Sequence, residues 1–177
     1  MIVRVAEALR TPIFHGKVHY MRWCDGRYIL DAWPLEAANT VDQRKFMLQN
    51  NGGRVMALTS LAWLLPFELT PDGLVVVVHH YDKAIAPHAN FQMSGIEDAR
   101  ISKVGDRWLM TMCSVSPERH STTLYSSDNG LDWSFEDIVI DDQDKDMPIF
   151  EGLIRGHYWA QTRPPGERYF AYPPGSQ

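Results

Sequence analysis

Residues 24–31 read CDGRYILD, and the reading of this stretch decides the fold. An Asp-Gly pair ahead of a run of aromatic and β-branched residues is a tight turn. The strand behind it folds back on its predecessor, and glycine supplies the positive φ that such turns require. The same form returns as FHGKVHYM (14–21), VGDRWLMT (104–111) and IRGHYWAQ (154–161), the last two beginning 50 residues apart. A repeat of hairpins at about 40–50 residues is the spacing of propeller blades.

Outward from these turns the chain reads as β throughout. Strands are expected at 18–23, 28–33, 55–58, 74–79, 99–104, 107–114, 122–126, 158–162 and 168–171, where Val, Ile, Tyr and Trp cluster between Gly, Asp and Asn turns. Helix is expected only near 34–40 and 42–49. SSDNGLDW (126–133) has the form Ser-x-Asp-x-Gly-x-x-Trp. It predicts a turn in which Asp128 accepts from backbone amides, Gly130 takes positive φ and Trp133 plugs the blade. The fold class is all-β, a β-propeller. A chain of 177 residues holds about three blades, whereas a propeller has at least about four, so 1–177 is expected to form one incomplete propeller domain. Unpaired strand edges in such a domain invite homo-oligomerisation.

Composition narrows the function classes. The net charge is −5 with 45% hydrophobic and 22% charged residues, and Lys and Arg form no cluster. This argues against nucleic acid and anionic membranes as partners. Two cysteines, Cys24 and Cys113, make neither a disulfide framework nor a zinc ribbon, and MIVRVAEALR lacks a signal-peptide core. A cytoplasmic location is the expectation.

GIEDARI (95–101) sets three charges in a row inside an otherwise strand-like pattern. By spacing alone it is a charged hairpin end with a weak surface ion pair. The stretch also resembles the Gly-hydrophobic-Glu-Asp-Pro-Arg-Ile motif of glycoside hydrolase family 130, the β-mannoside phosphorylases and β-1,2-mannosidases. KDMPIFEGLIRGHYWAQTRP (145–164) resembles that family's Lys-Asp to Arg-Pro segment, and CSVSPERHSTTLYSSDNGLDW (113–133) lies between them in the right order. The resemblance covers roughly residues 55–177. It implies a five-bladed propeller with its active site at the central funnel, acting on a β-mannoside oligosaccharide with inversion and without metal or organic cofactor.

The resemblance assigns roles residue by residue. Asp98 would be the general acid, protonating the glycosidic oxygen through a sugar hydroxyl, with Glu97 and Arg100 as neighbours that orient it. Arg163, before Pro164, would bind sugar hydroxyls or Asp98. Phosphorolysis needs a cluster of fixed positive charge, and Arg119 and Lys145 match two of the family's phosphate-binding cations. A further Arg has no counterpart near 133–135, and the family's His is Thr162 here. Ala99 stands where the family has Pro. These departures favour hydrolysis over phosphorolysis. Water would then need a carboxylate base: Glu151 first, Asp146 second, or a carboxylate beyond Gln177. A phosphorylase using inorganic phosphate stays open, as does a non-catalytic carbohydrate-binding propeller or an inactive truncated product.

Overall fold

The computed structural model describes residues 1–39, 42, 44–50, 53–117 and 119–164. Thirteen strands form three sheets, and no α-helix occurs among the described residues. No helix among them is long and apolar enough to cross a membrane. Strands β2 (Ile13–Phe14), β3 (Lys17–Cys24) and β4 (Arg27–Pro34) make one three-stranded sheet. Strands β5 (Ala38–Asn39), β6 (Lys45–Asn50) and β7 (Gly53–Leu58) make a second. The third runs β1 (Ile2–Ala8), β8 (Ser60–Leu69), β10 (Gly95–Val104), β11 (Arg107–Val115), β12 (His120–Ser127), β13 (Ser134–Ile140), with β9 (Val76–His79) beside β8.

The repeated turns form as their sequence requires. Cys24 pairs with Arg27 across Asp25-Gly26, whose φ values of 49° and 76° are both positive. This backbone matches the right-handed twist of the strands it joins. His15-Gly16 and Arg155-Gly156 repeat that geometry, and Gly105-Asp106 closes the β10–β11 hairpin between Val104 and Arg107.

Apolar side chains on these strands then tie each sheet to the next. Val18 and Tyr20 of β3 pack on Phe46, Leu48 and Ala57 of the second sheet. Met56 and Leu58 of that sheet pack with Cys113 and Val115 of β11. Within the third sheet, Leu64, Ile96, Met110, Met112 and Tyr125 form a further core. Burial on both faces explains why β11 and β12 read as unbroken runs rather than an alternation.

Several expectations are corrected. Of the helix expected near 34–40, Leu35–Ala37 is a 3-10 turn and Ala38–Asn39 is strand β5, and in place of the helix expected near 42–49, Lys45–Asn50 is strand β6, because Phe46 and Leu48 alternate into the core. Strands β1, β2, β5, β8 and β13 were not expected, and residues 158–162 contribute one isolated bridge, at Ala160, rather than a strand. The expected strand at 168–171 lies outside the described residues.

The turn at 126–133 uses a different side chain from the one expected. Asn129 Oδ1 accepts from the backbone N–H groups of Leu131 and Asp132, both at 2.9 Å, while Ser127 Oγ accepts from Gly130 N at 2.9 Å. Asp128 points to solvent, with its side chain 94% exposed and its nearest cation, Arg107, 3.9 Å away. Gly130 does take positive φ, and Trp133 packs on the core with its indole N–H donating to Gly130 O. Asn129→Ala should therefore lower unfolding stability by about 1–2 kcal/mol, and Asp128→Ala by less than about 0.5 kcal/mol, in paired urea titrations.

Candidate functional site

The site begins at Gly95. Its amide segment is squeezed between two strands, pairing with Val115 of β11 on one side and in parallel with Ala62 of β8 on the other. A Cβ on Gly95 would come within 2.6 Å of Ala62 N and 2.9 Å of Ala62 O, and its φ is +117°. Only glycine meets both demands.

Two residues on, the ladder slips. Glu97 pairs with Cys113, but Arg100 pairs with Thr111, so Asp98 and Ala99 together face Met112 alone. This is a β-bulge, and Asp98 holds it in the left-handed region at φ +58°. A bulge re-aims side chains, and a strained non-glycine backbone is kept where the surroundings over-determine it. Here they do. Arg4 of β1 reaches across, its Nη1 lying 2.7 Å from Glu97 Oε2 and 3.0 Å from Asp98 Oδ1. From the other side Lys145 Nζ lies 3.0 Å from Glu97 Oε1 and 3.7 Å from Asp98 Oδ2. The charge run in GIEDARI is thus a bulge gripped by two cations from distant parts of the chain.

A second pair of cations stands beside the first. Asp146, itself at φ +55°, binds Arg100 through Oδ1 and Arg163 through Oδ2. Arg163 N also donates to Asp144 Oδ1 at 2.9 Å. Arg4, Lys145, Arg100 and Arg163 therefore meet Glu97, Asp98 and Asp146: four cations to three carboxylates. Burial alone would depress the Lys145 ammonium, but the attraction of Glu97 and Asp98 outweighs it and the net shift is upward. His120 is pushed down to about 4, first by burial and then by the Lys145 charge, so its ring is neutral at pH 7.

Part of this cluster borders a cleft of about 730 Å³, the size of a small-ligand site; Glu97, His120, Lys145 and Arg163 line it, whereas Asp98, Asp146, Arg4 and Arg100 stand behind them. Its wall also includes Arg44, Lys45 and Ser60, and the carboxylates of Asp42 and Asp144. Cys113 beneath it is an inert thiol, raised to about 12 by burial.

Of the residues singled out by sequence, six converge: Glu97, Asp98, Arg100, Lys145, Asp146 and Arg163. Two do not. Arg119 turns away to Asp141 at 2.8 Å and does not line the cleft, although its neighbour His120 does. Successive residues at a strand start point to opposite faces, which separates the two. Glu151 is exposed, lies between the bridges Ile149↔Ala160 and Ile154↔His157, and is also absent from the cleft wall. Arg4, Arg44, Lys45 and His120 were missed. Arg4 had a faint signal, a lone cation inside the alternating run IVRVAEA.

No family model matches the chain. It is 28% identical over 111 residues to a β-1,2-mannobiose phosphorylase of Listeria innocua, an alignment covering 60% of this chain and 30% of that protein. The solved structure of a β-1,2-mannobiose phosphorylase from Listeria innocua, in complex with β-1,2-mannobiose, superposes with a TM-score of 0.75 at 23% identity. That match covers 93% of this chain and 47% of the other, so the chain spans about half the length of the structure it resembles. The fold is accordingly that of a β-propeller.

Proposed function

We propose that this chain belongs to glycoside hydrolase family 130 and cleaves β-mannosides by a single inverting displacement in which Asp98 is the general acid and inorganic phosphate the nucleophile, a reading supported by its similarity to a β-1,2-mannobiose phosphorylase. The observation that carries this reading is that Lys145 and Arg163, two cations of the cluster around Asp98, line the cleft together with Arg44 and Lys45. A phosphate oxyanion can be held there through charge-assisted hydrogen bonds to Lys145 and Arg163.

The departures in the sequence favoured hydrolysis, and that is the second reading. It requires a carboxylate base about 6.5–9.5 Å from the acid. Glu151 is exposed on the segment between the bridges Ile149↔Ala160 and Ile154↔His157, and both oxygens of Asp146 are bound by guanidinium groups. Phosphate brings its own negative oxygen and needs no base. The similarity to a β-1,2-mannobiose phosphorylase points the same way.

The test is product analysis on β-1,2-mannobiose with and without inorganic phosphate. Mannose 1-phosphate formed only with phosphate is the expected result, and free mannose at an equal rate in both would replace phosphorolysis by hydrolysis. Lys145→Met should raise the KM for phosphate about 10- to 100-fold, the worth of one hydrogen bond to a charged group.

A further inference from the structure

A second cavity, of about 490 Å³, shares none of its described wall residues with the cleft. It lies between the segment 82–88 and the turn at 131–135, and Lys83 Nζ joins the two walls, 2.6 Å from Asp132 Oδ1. Tyr125, Phe135 and His88 line it, with ring centroids 5.3–6.3 Å apart and planes crossing at 66–83°. Tyr125 is buried, but Phe135 stays 38% exposed. A buried polar network holds these rings. Gln92, fully buried, accepts from His88 N at 3.1 Å through Oε1. Its Nε2 donates to Ser114 Oγ at 3.0 Å and to the Tyr125 hydroxyl at 2.9 Å. That hydroxyl accepts from Gln92, so its own proton goes to His88 Nδ1, 3.3 Å away. The tautomer follows: the exposed His88 ring carries its N–H on Nε2. A satisfied network of this kind fixes the group at its outer end.

We propose that this cavity is a second carbohydrate site, where one pyranose ring stacks on Phe135 and accepts hydrogen bonds from His88 Nε2–H and the Lys83 ammonium. Chemistry selects that ligand class. A pyranose has an apolar face of C–H groups and a rim of hydroxyls, which an exposed aromatic ring beside a few fixed polar groups matches. An ammonium has three donors, so Lys83 keeps two after binding Asp132. Asp82, in the same wall, can accept from a hydroxyl. An anion would meet the carboxylates of Asp82 and Asp132, and a cation would meet Lys83, so a neutral ligand fits. A nucleobase would need parallel rings to slide between, and these rings meet edge to face. The turn at 126–133 thereby acquires a second use, since it supplies Asp132 and Trp133 to the wall. Mannose as the sugar rests on the reading of the cleft; the site itself does not.

The test is a titration of the whole chain, carrying Asp98→Asn to stop turnover, with β-1,2-mannobiose. The NMR signal of the Trp133 indole N–H, assigned by its loss in Trp133→Phe, is expected to move saturably. Phe135→Ala should weaken that binding about 10-fold, and Phe135→Tyr, which keeps the ring face, should retain it. His88→Phe, which keeps a ring without the N–H, should weaken it about 3- to 10-fold. With Asp98 restored, Phe135→Ala should leave the rate of mannobiose cleavage unchanged. A Trp133 signal that does not move, or moves equally in Phe135→Ala and His88→Phe, would overturn the proposal. So would binding lost in Arg163→Met, which would belong to the cleft. Adenosine binding more tightly than mannobiose would overturn the ligand class. Product analysis reads the cleft and the Trp133 signal reads this cavity, so either reading can fail without the other.

Discussion

Asp98→Asn is expected to lower kcat by about 10²- to 10⁴-fold, the usual contribution of a positioned general acid, while leaving the fold intact. The fold survives for a specific reason. Asp98 sits at φ +58°, and asparagine tolerates the left-handed region as well as aspartate does. The amide oxygen can still accept from Arg4, which lies 3.0 Å from Asp98 Oδ1. What the amide cannot do is give up a proton. The measurement is mannose 1-phosphate release at saturating β-1,2-mannobiose, with thermal unfolding recorded on the same sample. Full activity in the variant would remove Asp98 from the acid role and move attention to Glu97, which shares its cation partners.

Gly95→Ala should cost about 2–5 kcal/mol of stability, from two sources that act together. The residue at φ +117° is in a region that L-residues rarely adopt, worth about 1–3 kcal/mol. The added methyl also meets the backbone of Ala62 at 2.6 Å, and backbone cannot swing aside like a flexible side chain. Gly16→Ala is the control. It too has positive φ, +68°, but nothing lies within 4 Å of its would-be Cβ. Its loss should be smaller, about 1 kcal/mol. Urea midpoints of the two variants separate the contributions, and equal losses would show that the Ala62 contact does not matter. Because Gly95 starts the strand that carries Asp98, its variant should also lose activity before it unfolds.

The depth to which the sequence could be read varies by element, for physical reasons. Hairpins were legible because a two-residue turn is a local event: Asp25-Gly26 dictates its own backbone without help from the rest of the chain. Strands with a periodic or β-branched run, such as β3 and β11, were legible for the same reason. β8 was missed because SLAWLLPFEL is buried on both faces and contains a proline, which hides its period. The turn at 126–133 was assigned to Asp128 by its motif, and the neighbouring Asn129 makes the bonds instead. Both side chains can cap a turn, and which one points inward depends on the local twist.

For the site, the sequence by itself determined the residue types and one cluster of charge: GIEDARI, followed about 45 residues later by Lys145 and Asp146. It also determined that a β-propeller would carry them, because turns and runs are local properties. The tertiary structure decided the rest. It brought Arg4 from 94 positions away onto Asp98 and turned Arg119 aside to Asp141. It left Glu151 outside the cleft and joined Arg100 to Arg163 through one carboxylate. A cation's partner is set by where two strands meet and by a one-residue slip at a bulge. Neither leaves a mark in the spacing of the residues themselves.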